Sequence, residues 1–466
     1  MEPITMTLAQ WISGLRRDDV PADVRATLRL LALDTFACAL AGRSQPWTRA
    51  VRAWALAPGS IPQAPSRIWG EPCGRLRAAD AALVNGAAAH AFELDDFHNA
   101  KVHLGAVVVP AVFALAESLN AVPERIEAAL AAGYEVVIRS SLALRPGLAR
   151  LQGWHLTAVC GPLGAAAAAS VLLGLDAQRT AWALGLAGTQ SGGLFAFTAD
   201  GASSKRFHPG RAAQAGVMAA ELASLGLSGP TQLFEARDGG WLRAFSQDPD
   251  PAALIDGLGK LWHGAETNFK PYACCGSVHA HVDAALALRS RWAPGRGVRV
   301  GMPKVVLVQC GYEYRPGTAL NAQMSGRYSV AAALLDGAVL PGQFDDARMR
   351  AADVVDLAGR LELVHDEALD ALYPRNFCGW VEVQEGDGAW LRHAVLNPSG
   401  SAANPARGQA IARKAELLLE PIVGAGGAMR LRRSFEELDA TPLRELLADG
   451  CVGESVAPGE AGSPGA

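Results

Sequence analysis

Apolar positions in the first 290 residues recur at helical spacing, with little strand-like alternation. Residues 24–41 are apolar around most of a helix that Pro21 opens and Gly42 closes as a C-cap glycine would. Ala-rich helices are predicted over residues 79–92, 105–119, 127–144, 158–173, 178–188 and 210–225, and their small side chains permit close helix–helix approach. The pattern changes near Arg296. Residues 304–310 are β-branched and apolar, 361–365 alternate, and 380–384 and 389–395 flank Glu385-Gly386-Asp387-Gly388, a hairpin-turn composition. Residues 329–335 and 345–357 read as helices between them, and helical spacing returns at 407–419 and 434–447.

This order predicts a mainly α fold with an α+β part. A large all-helical domain, residues 1–267 and 401–450, is interrupted by a smaller inserted α+β domain, residues 268–400. Residues 451–466 are Gly, Pro, Ser and Glu and read as a disordered tail.

Composition narrows the class. Of 466 residues half are apolar and 19% charged, with a formal charge of −4. Ordinary globular chains carry about 25% charge. Disorder is excluded, and so is general nucleic-acid binding, which needs a basic footprint. Scarce charge suits a large core and a buried subunit interface. Residues 151–175 and 180–199 lack charged side chains over about a membrane's thickness. Gly, Thr, Ser and Gln dilute both, and His155 and Pro162 fall in the first, so they read as buried helices and no membrane partner is expected. Eight cysteines occur without a Cys-x-x-Cys, and Met1-Glu2-Pro3 does not begin an export signal. Reduced thiols and a cytoplasmic location follow as expectations.

Four segments carry candidate chemistry. Glu93-Leu94-Asp95-Asp96-Phe97-His98, then Lys101 and His103, end a buried helix. Such a cluster suits general acid–base work, or a divalent metal held by Glu93, Asp95, Asp96, His98 and His103, or a solvated helix end. His155 stands alone in Gly153-Trp154-His155-Leu156-Thr157, where a satisfied core imidazole competes with a catalytic one. Lys205, Arg206, His208 and Arg211 follow Gly201 and Ser203-Ser204, a carboxylate-binding loop or a basic turn, without Walker or dinucleotide glycine spacing. Lys270 precedes Pro271-Tyr272-Ala273-Cys274-Cys275 at the domain boundary, where clefts form. His279 and His281, two apart, would face different sides of a helix and do not make a metal pair.

Taken in order with Leu33-Asp34-Thr35-Phe36-Ala37-Cys38-Ala39-Leu40-Ala41-Gly42, Cys160-Gly161-Pro162-Leu163-Gly164, Ser204-Lys205-Arg206-Phe207-His208-Pro209-Gly210-Arg211, Phe269-Lys270-Pro271-Tyr272, Asn397-Pro398 and Asn404-Pro405, these segments resemble the MmgE/PrpD family. That family includes 2-methylcitrate dehydratase, cis-aconitate decarboxylase and iminodisuccinate epimerase. The resemblance, over about residues 7–450, implies a site between an all-helical and an α+β domain, a homodimer, and no metal or organic cofactor. It places the family's active-site positions on Glu93, Phe97, His103, His155, Lys205, Lys270, Cys275 and Tyr328. Three depart from the decarboxylase branch, in which Glu93 is an aspartate, Phe97 a threonine and Cys275 a histidine.

The family's reactions make or break a C–H bond α to a carboxylate, which needs a base and cations on the carboxylate. His103 and His155 are the expected acid–base pair. Lys205 and Lys270 would hold substrate carboxylates, with Arg206 or Arg211 in support and Asp95, Phe97 and Cys275 lining the substrate. Tyr328 would donate a proton or anchor a carboxylate, and Glu93 would orient an imidazole. The leading expectation is a 2-methylcitrate dehydratase-like lyase acting on a small polycarboxylate. The alternatives are an epimerase of a dicarboxylate such as iminodisuccinate, a metal-dependent lyase or hydrolase, and a non-catalytic binder of small acids.

Overall fold

In the structure, a computed structural model, the described residues are 3–57, 64–373, 375–405, 407–438 and 440–451. The expected tail lies, apart from Cys451, outside them. The architecture is mainly α with an α+β part.

Leu156–Leu173 is the central helix, packed against Pro123–Ala143, Gly105–Leu119 and Ser204–Ser224. It is long and apolar enough to cross a membrane, and 94% of it is buried inside the protein. Glycine sets the closeness of this packing. A Cβ on Gly210 would lie 2.2 Å from the Leu83 carbonyl oxygen, so Ser204–Ser224 and Ala78–Ala89 meet backbone to backbone. Gly42 works the same way, and this corrects its expected C-cap role. It is the last residue of Ala22–Gly42, helical Arg43 follows, and a Cβ there would sit 2.3 Å from Ala88 O.

Two short strands, β1 (Ser66–Arg67) and β2 (Arg75–Leu76), pair within the helical part. A four-stranded sheet comprises β3 (Val298–Met302), β4 (Glu362–His365), β5 (Gly379–Gln384) and β6 (Trp390–Val395) in the order β4-β3-β5-β6. β3 and β4 are parallel and the other pairs antiparallel. The 385–388 turn closes with Gly388 N–H donating to Glu385 O at 3.0 Å. Residues 304–310, expected as a strand, form the helix Lys304–Cys310 after Pro303, and the strand is the preceding Val298–Met302. A seven-residue apolar run does not distinguish the two periods. The single helix expected over 345–357 is two, Asp346–Met349 and Ala352–Arg360.

Two hydrophobic cores result, one around the central helix and one between the sheet and the helices His279–Leu288 and Gly326–Asp336. The C-terminal helix Arg407–Glu436, kinked at Gly424, returns to the first core through Ile411, Ala415, Leu419, Leu431 and Phe435. The helix expected over 434–447 is instead the end of that helix and a separate Leu443–Asp449.

Candidate active site

The Ala78–Ala89 helix stops at His90, and the next residues turn sharply. Glu93 (φ 56°) and Lys101 (φ 63°) both adopt the left-handed conformation that non-glycine residues avoid. Phe97 and Asn268 exchange backbone hydrogen bonds of 2.9 and 2.8 Å, which ties this turn to the strand-like segment carrying Lys270. Asp96 is spent on structure. Its carboxylate accepts from Gly105 N–H at 2.7 Å, at the start of the next helix, and from Tyr134 OH at 2.7 Å. Burial raises its pKa to about 7.

A buried charge cluster forms where the two helices meet. Glu93 Oε1 pairs with Lys205 Nζ, and its Oε2 accepts from Lys270 Nζ at 3.0 Å. Arg206 Nη1 is 3.5 Å from the same carboxylate and also donates to His90 O at 3.3 Å. His90 Nδ1 lies 2.8 and 2.9 Å from the two Asp95 oxygens, so it carries a proton and donates. Its Nε2 then accepts from Lys205 Nζ at 3.1 Å. Asp95, His90 and Lys205 therefore form one chain. Burial, followed by repulsion from Lys270 and Arg206, holds the Lys205 pKa well below its ordinary value. Burial lowers that of Lys270 as well.

The imidazoles are oriented from behind. His103 Nδ1 is 3.0 Å from Asp96 O. A carbonyl only accepts, so Nδ1 carries the proton and Nε2 holds the lone pair. Burial and then Lys270 lower the His103 pKa to about 4. His155 is the residue preceding the central helix, and its Nδ1 meets His208 Nδ1 at 2.8 Å. Phe195 and Phe197 flank it, with ring centroids 5.8 and 5.4 Å away. Burial puts His155 well below the usual imidazole range and His208 at about 4.

His103, His155, Lys205, Lys270, Glu93, Phe97 and Cys275 line one cavity of about 90 Å³. With Lys101 and Arg150, also in its wall, four cations face one carboxylate. The Cys275 thiol is lowered by a hydrogen bond from Cys310 and by the Lys270 charge. The other expected site residues stand elsewhere. Tyr328 is fully buried in the small core, its hydroxyl donating to Gln343 O and its ring 4.8 Å from that of Tyr314. Tyr373 is the tyrosine in the cavity wall, 3.3 Å from Lys101 Nζ. Arg211, six residues past Lys205, turns to another helix face and meets Gln190 at 3.3 Å. Arg206 and Asp95 sit behind the wall, holding Glu93 and His90.

The segment expected as a basic loop is the first turns of Ser204–Ser224. Pro209 near the start of the helix costs it one hydrogen bond, that to Lys205 O. The five groups expected to share a metal do not converge. Asp96 caps a helix, and His98 Nδ1 accepts from Ala100 N–H at 3.0 Å. Among the described residues His90, Asp95 and His103 place ligand atoms within 4.8 Å of one another, but Lys205 already stands at the His90 nitrogen. His279 and His281 bond separate carbonyls, Cys274 O and Gly301 O.

Sequence reasoning missed His90, Arg150 and Tyr373 as members of the site or its support, and it named Lys101 and His208 within candidate segments without giving either a role. It also missed Lys414, which pairs with Asp34 at 2.7 Å and donates to Leu94 O at 2.5 Å and Lys270 O at 2.9 Å. A lysine among apolar residues of a C-terminal helix is the one signal that marks it.

The sequence comparisons match the chain in two segments. Residues 6–254 match the MmgE/PrpD N-terminal domain and residues 272–440 the MmgE/PrpD C-terminal domain. The chain belongs to the MmgE/PrpD family. The junction between the two matched domains, residues 255–271, contains Lys270. Cis-aconitate decarboxylase of Aspergillus terreus is 32% identical, with 95% of this chain and 96% of the relative aligned. A cis-aconitate decarboxylase-like protein of Aspergillus oryzae is 31% identical over 96% of each chain. Cis-aconitate decarboxylase of Homo sapiens is 29% identical over 78% of this chain and 77% of its own. As an MmgE/PrpD protein the chain is a lyase-type enzyme.

Proposed function

We propose that this MmgE/PrpD protein is a lyase that removes a proton α to a carboxylate of a small tricarboxylate and expels water from the neighbouring carbon. The observation that carries this reading is the convergence of His103 and His155, each oriented through Nδ1, on a cavity whose charged wall is four cations and one carboxylate. A substrate carboxylate would bind Lys205 and Lys270, whose ammonium groups stabilise the enediolate-like charge formed as the proton leaves. One imidazole takes that proton through Nε2 and, as the imidazolium so formed, passes it to the departing hydroxyl, which leaves as water.

Decarboxylation is the second reading, favoured by the activity named for the relatives at 31–32% identity. There a C–C bond breaks, carbon dioxide leaves with the carbon's electron pair held as enediolate-like charge, and a proton from solvent, relayed by an imidazole, takes its place on the carbon. Methylcitrate-type acids are the finer substrate assignment under the first reading, and a cytoplasmic homodimer is proposed from eight free cysteines and the low charge fraction.

Incubation in deuterated water with citrate-type, aconitate-type and iminodisuccinate-type acids, followed by NMR, tests this. A new alkene without loss of carbon dioxide supports the dehydratase. Carbon dioxide release with deuterium at the product carbon supports the decarboxylase. Inverted configuration with deuterium supports an epimerase, and no exchange on any acid overturns proton abstraction altogether.

A further inference from the structure

Beyond the catalytic cavity lies a groove of about 1320 Å³, more than ten times as large. The two share six wall residues, Lys101, Arg150, Phe195, Gln309, Met324 and Tyr373, so they adjoin there. Beyond these shared residues the lining is mostly apolar, with Arg145, Lys304 and Asp370 also at its edge. Leu148 and Leu151 come from the helix Pro146–Leu151, and Val305 and Val308 from Lys304–Cys310, so each part of the fold contributes one wall. These side chains are open to water, with Leu151 83% and Val308 77% exposed. Large apolar side chains grouped in one concave surface mark a place that something apolar covers.

Polarity is ordered along this path. Lys205, Lys270 and Glu93 stand at the inner end, Lys101 and Arg150 in the shared wall, and mostly aliphatic side chains outside. Arg150 lies flat on Phe195, 3.3 Å from the ring centroid, and Lys101 is held by Tyr373. The inner chamber is also walled by Phe97 and Phe377, whose ring centroids are 5.4 Å apart. A ligand matching this order has carboxylates at one end and a hydrocarbon at the other.

We propose that the substrate is a polycarboxylate bearing an alkyl chain of several carbons, with the head in the catalytic cavity and the chain running past the shared wall into the groove. The proposal rests on the proton-abstraction reading above and deepens it. A second copy of the chain seated on the groove would cover the outer side of the shared wall, whereas a tethered alkyl chain accounts for the groove lying directly against the catalytic cavity.

The test is a homologous series of citrate-type and aconitate-type acids carrying hydrogen, methyl, butyl or hexyl, assayed by NMR and steady-state kinetics. The expected result is a kcat/KM that climbs by roughly fourfold per methylene, the factor for burying one CH₂. The double variant Leu151→Asp/Val308→Asp, whose residues lie outside the catalytic cavity, should flatten that rise while the methyl-bearing acid turns over as before. Equal kcat/KM along the series overturns the alkyl assignment and leaves proton abstraction standing. Exchange on none of the acids overturns the underlying reading instead. A double variant that changes only the sedimentation of the protein, with chain-length dependence intact, makes the groove a subunit contact and also overturns the proposal.

Discussion

His155 and His208 meet Nδ1 to Nδ1 at 2.8 Å. Two facing ring nitrogens hydrogen-bond only if one is protonated there and the other is not, and burial, which lowers the pKa of both rings, favours the neutral pair. In either arrangement His155 Nδ1 is engaged and Nε2 is left as its reacting nitrogen. His208→Ala should lower kcat about a hundredfold, the lower range of a general base's contribution, with little change in KM. His208→Asn, which restores a hydrogen-bonding group near Nδ1, should recover most of it. Steady-state kinetics with a thermal melt on each variant checks this. Equal loss in both variants with unchanged melting would remove His208 from the positioning role.

The pH dependence follows from His103. Burial and the Lys270 ammonium lower its pKa to about 4. The neutral ring is the active base, so kcat/KM should stay level as pH falls through the ordinary imidazole value of 6.5 and drop only near pH 4. Removing the neighbouring cation relieves repulsion on the protonated form. In Lys270→Met the His103 ring, followed by NMR, should therefore titrate at a higher pH than in the parent.

Lys414 connects the C-terminal helix to both halves of the site. It sits in a buried ion pair with Asp34 and holds the backbone carbonyls of Leu94 and Lys270. Lys414→Met leaves Asp34 buried without its partner, a change that costs about 3–5 kcal/mol. Denaturant unfolding should show that loss. The double variant Asp34→Asn/Lys414→Met should regain part of the stability but not the full turnover, because the two carbonyls lose their donor.

Gly210 lets two helices touch so that Lys205 reaches Glu93. A methyl there would meet Leu83 O at 2.2 Å and Ala87 N at 2.9 Å, both backbone atoms that cannot rotate away. Gly210→Ala should destabilise the protein by about 3 kcal/mol and raise KM as the Lys205–Glu93 pair is pulled apart. Calorimetry and kinetics on the same preparation read both effects.

Much of the architecture was legible because helical periodicity over long apolar segments is a strong signal. The helices around Ala78–Ala89, Gly105–Leu119 and Leu156–Leu173, and the hairpin at residues 385–388, appear within a few residues of where the pattern puts them. Short elements were not legible. Lys304–Cys310 is apolar and β-branched yet helical, since seven residues fit either period until tertiary packing chooses. The site divides in the same way. Glu93, His103, His155, Lys205 and Lys270 stand out as polar groups interrupting apolar helices, and the fold brings all five to one cavity. His90 looks like a residue of a helix interior and His208 like part of a basic turn, and only the crossing of the Ala78–Ala89 and Ser204–Ser224 helices turns His90 into a partner of Lys205. Tyr328 shows the reverse, since its helical phase sends the ring into the small core while Tyr373 enters the wall from a distant segment. Local sequence determined which side chains were available and which helices would carry them. Tertiary structure decided which of them face one another, because the direction of a side chain depends on helix phase and on contacts between residues far apart in the chain.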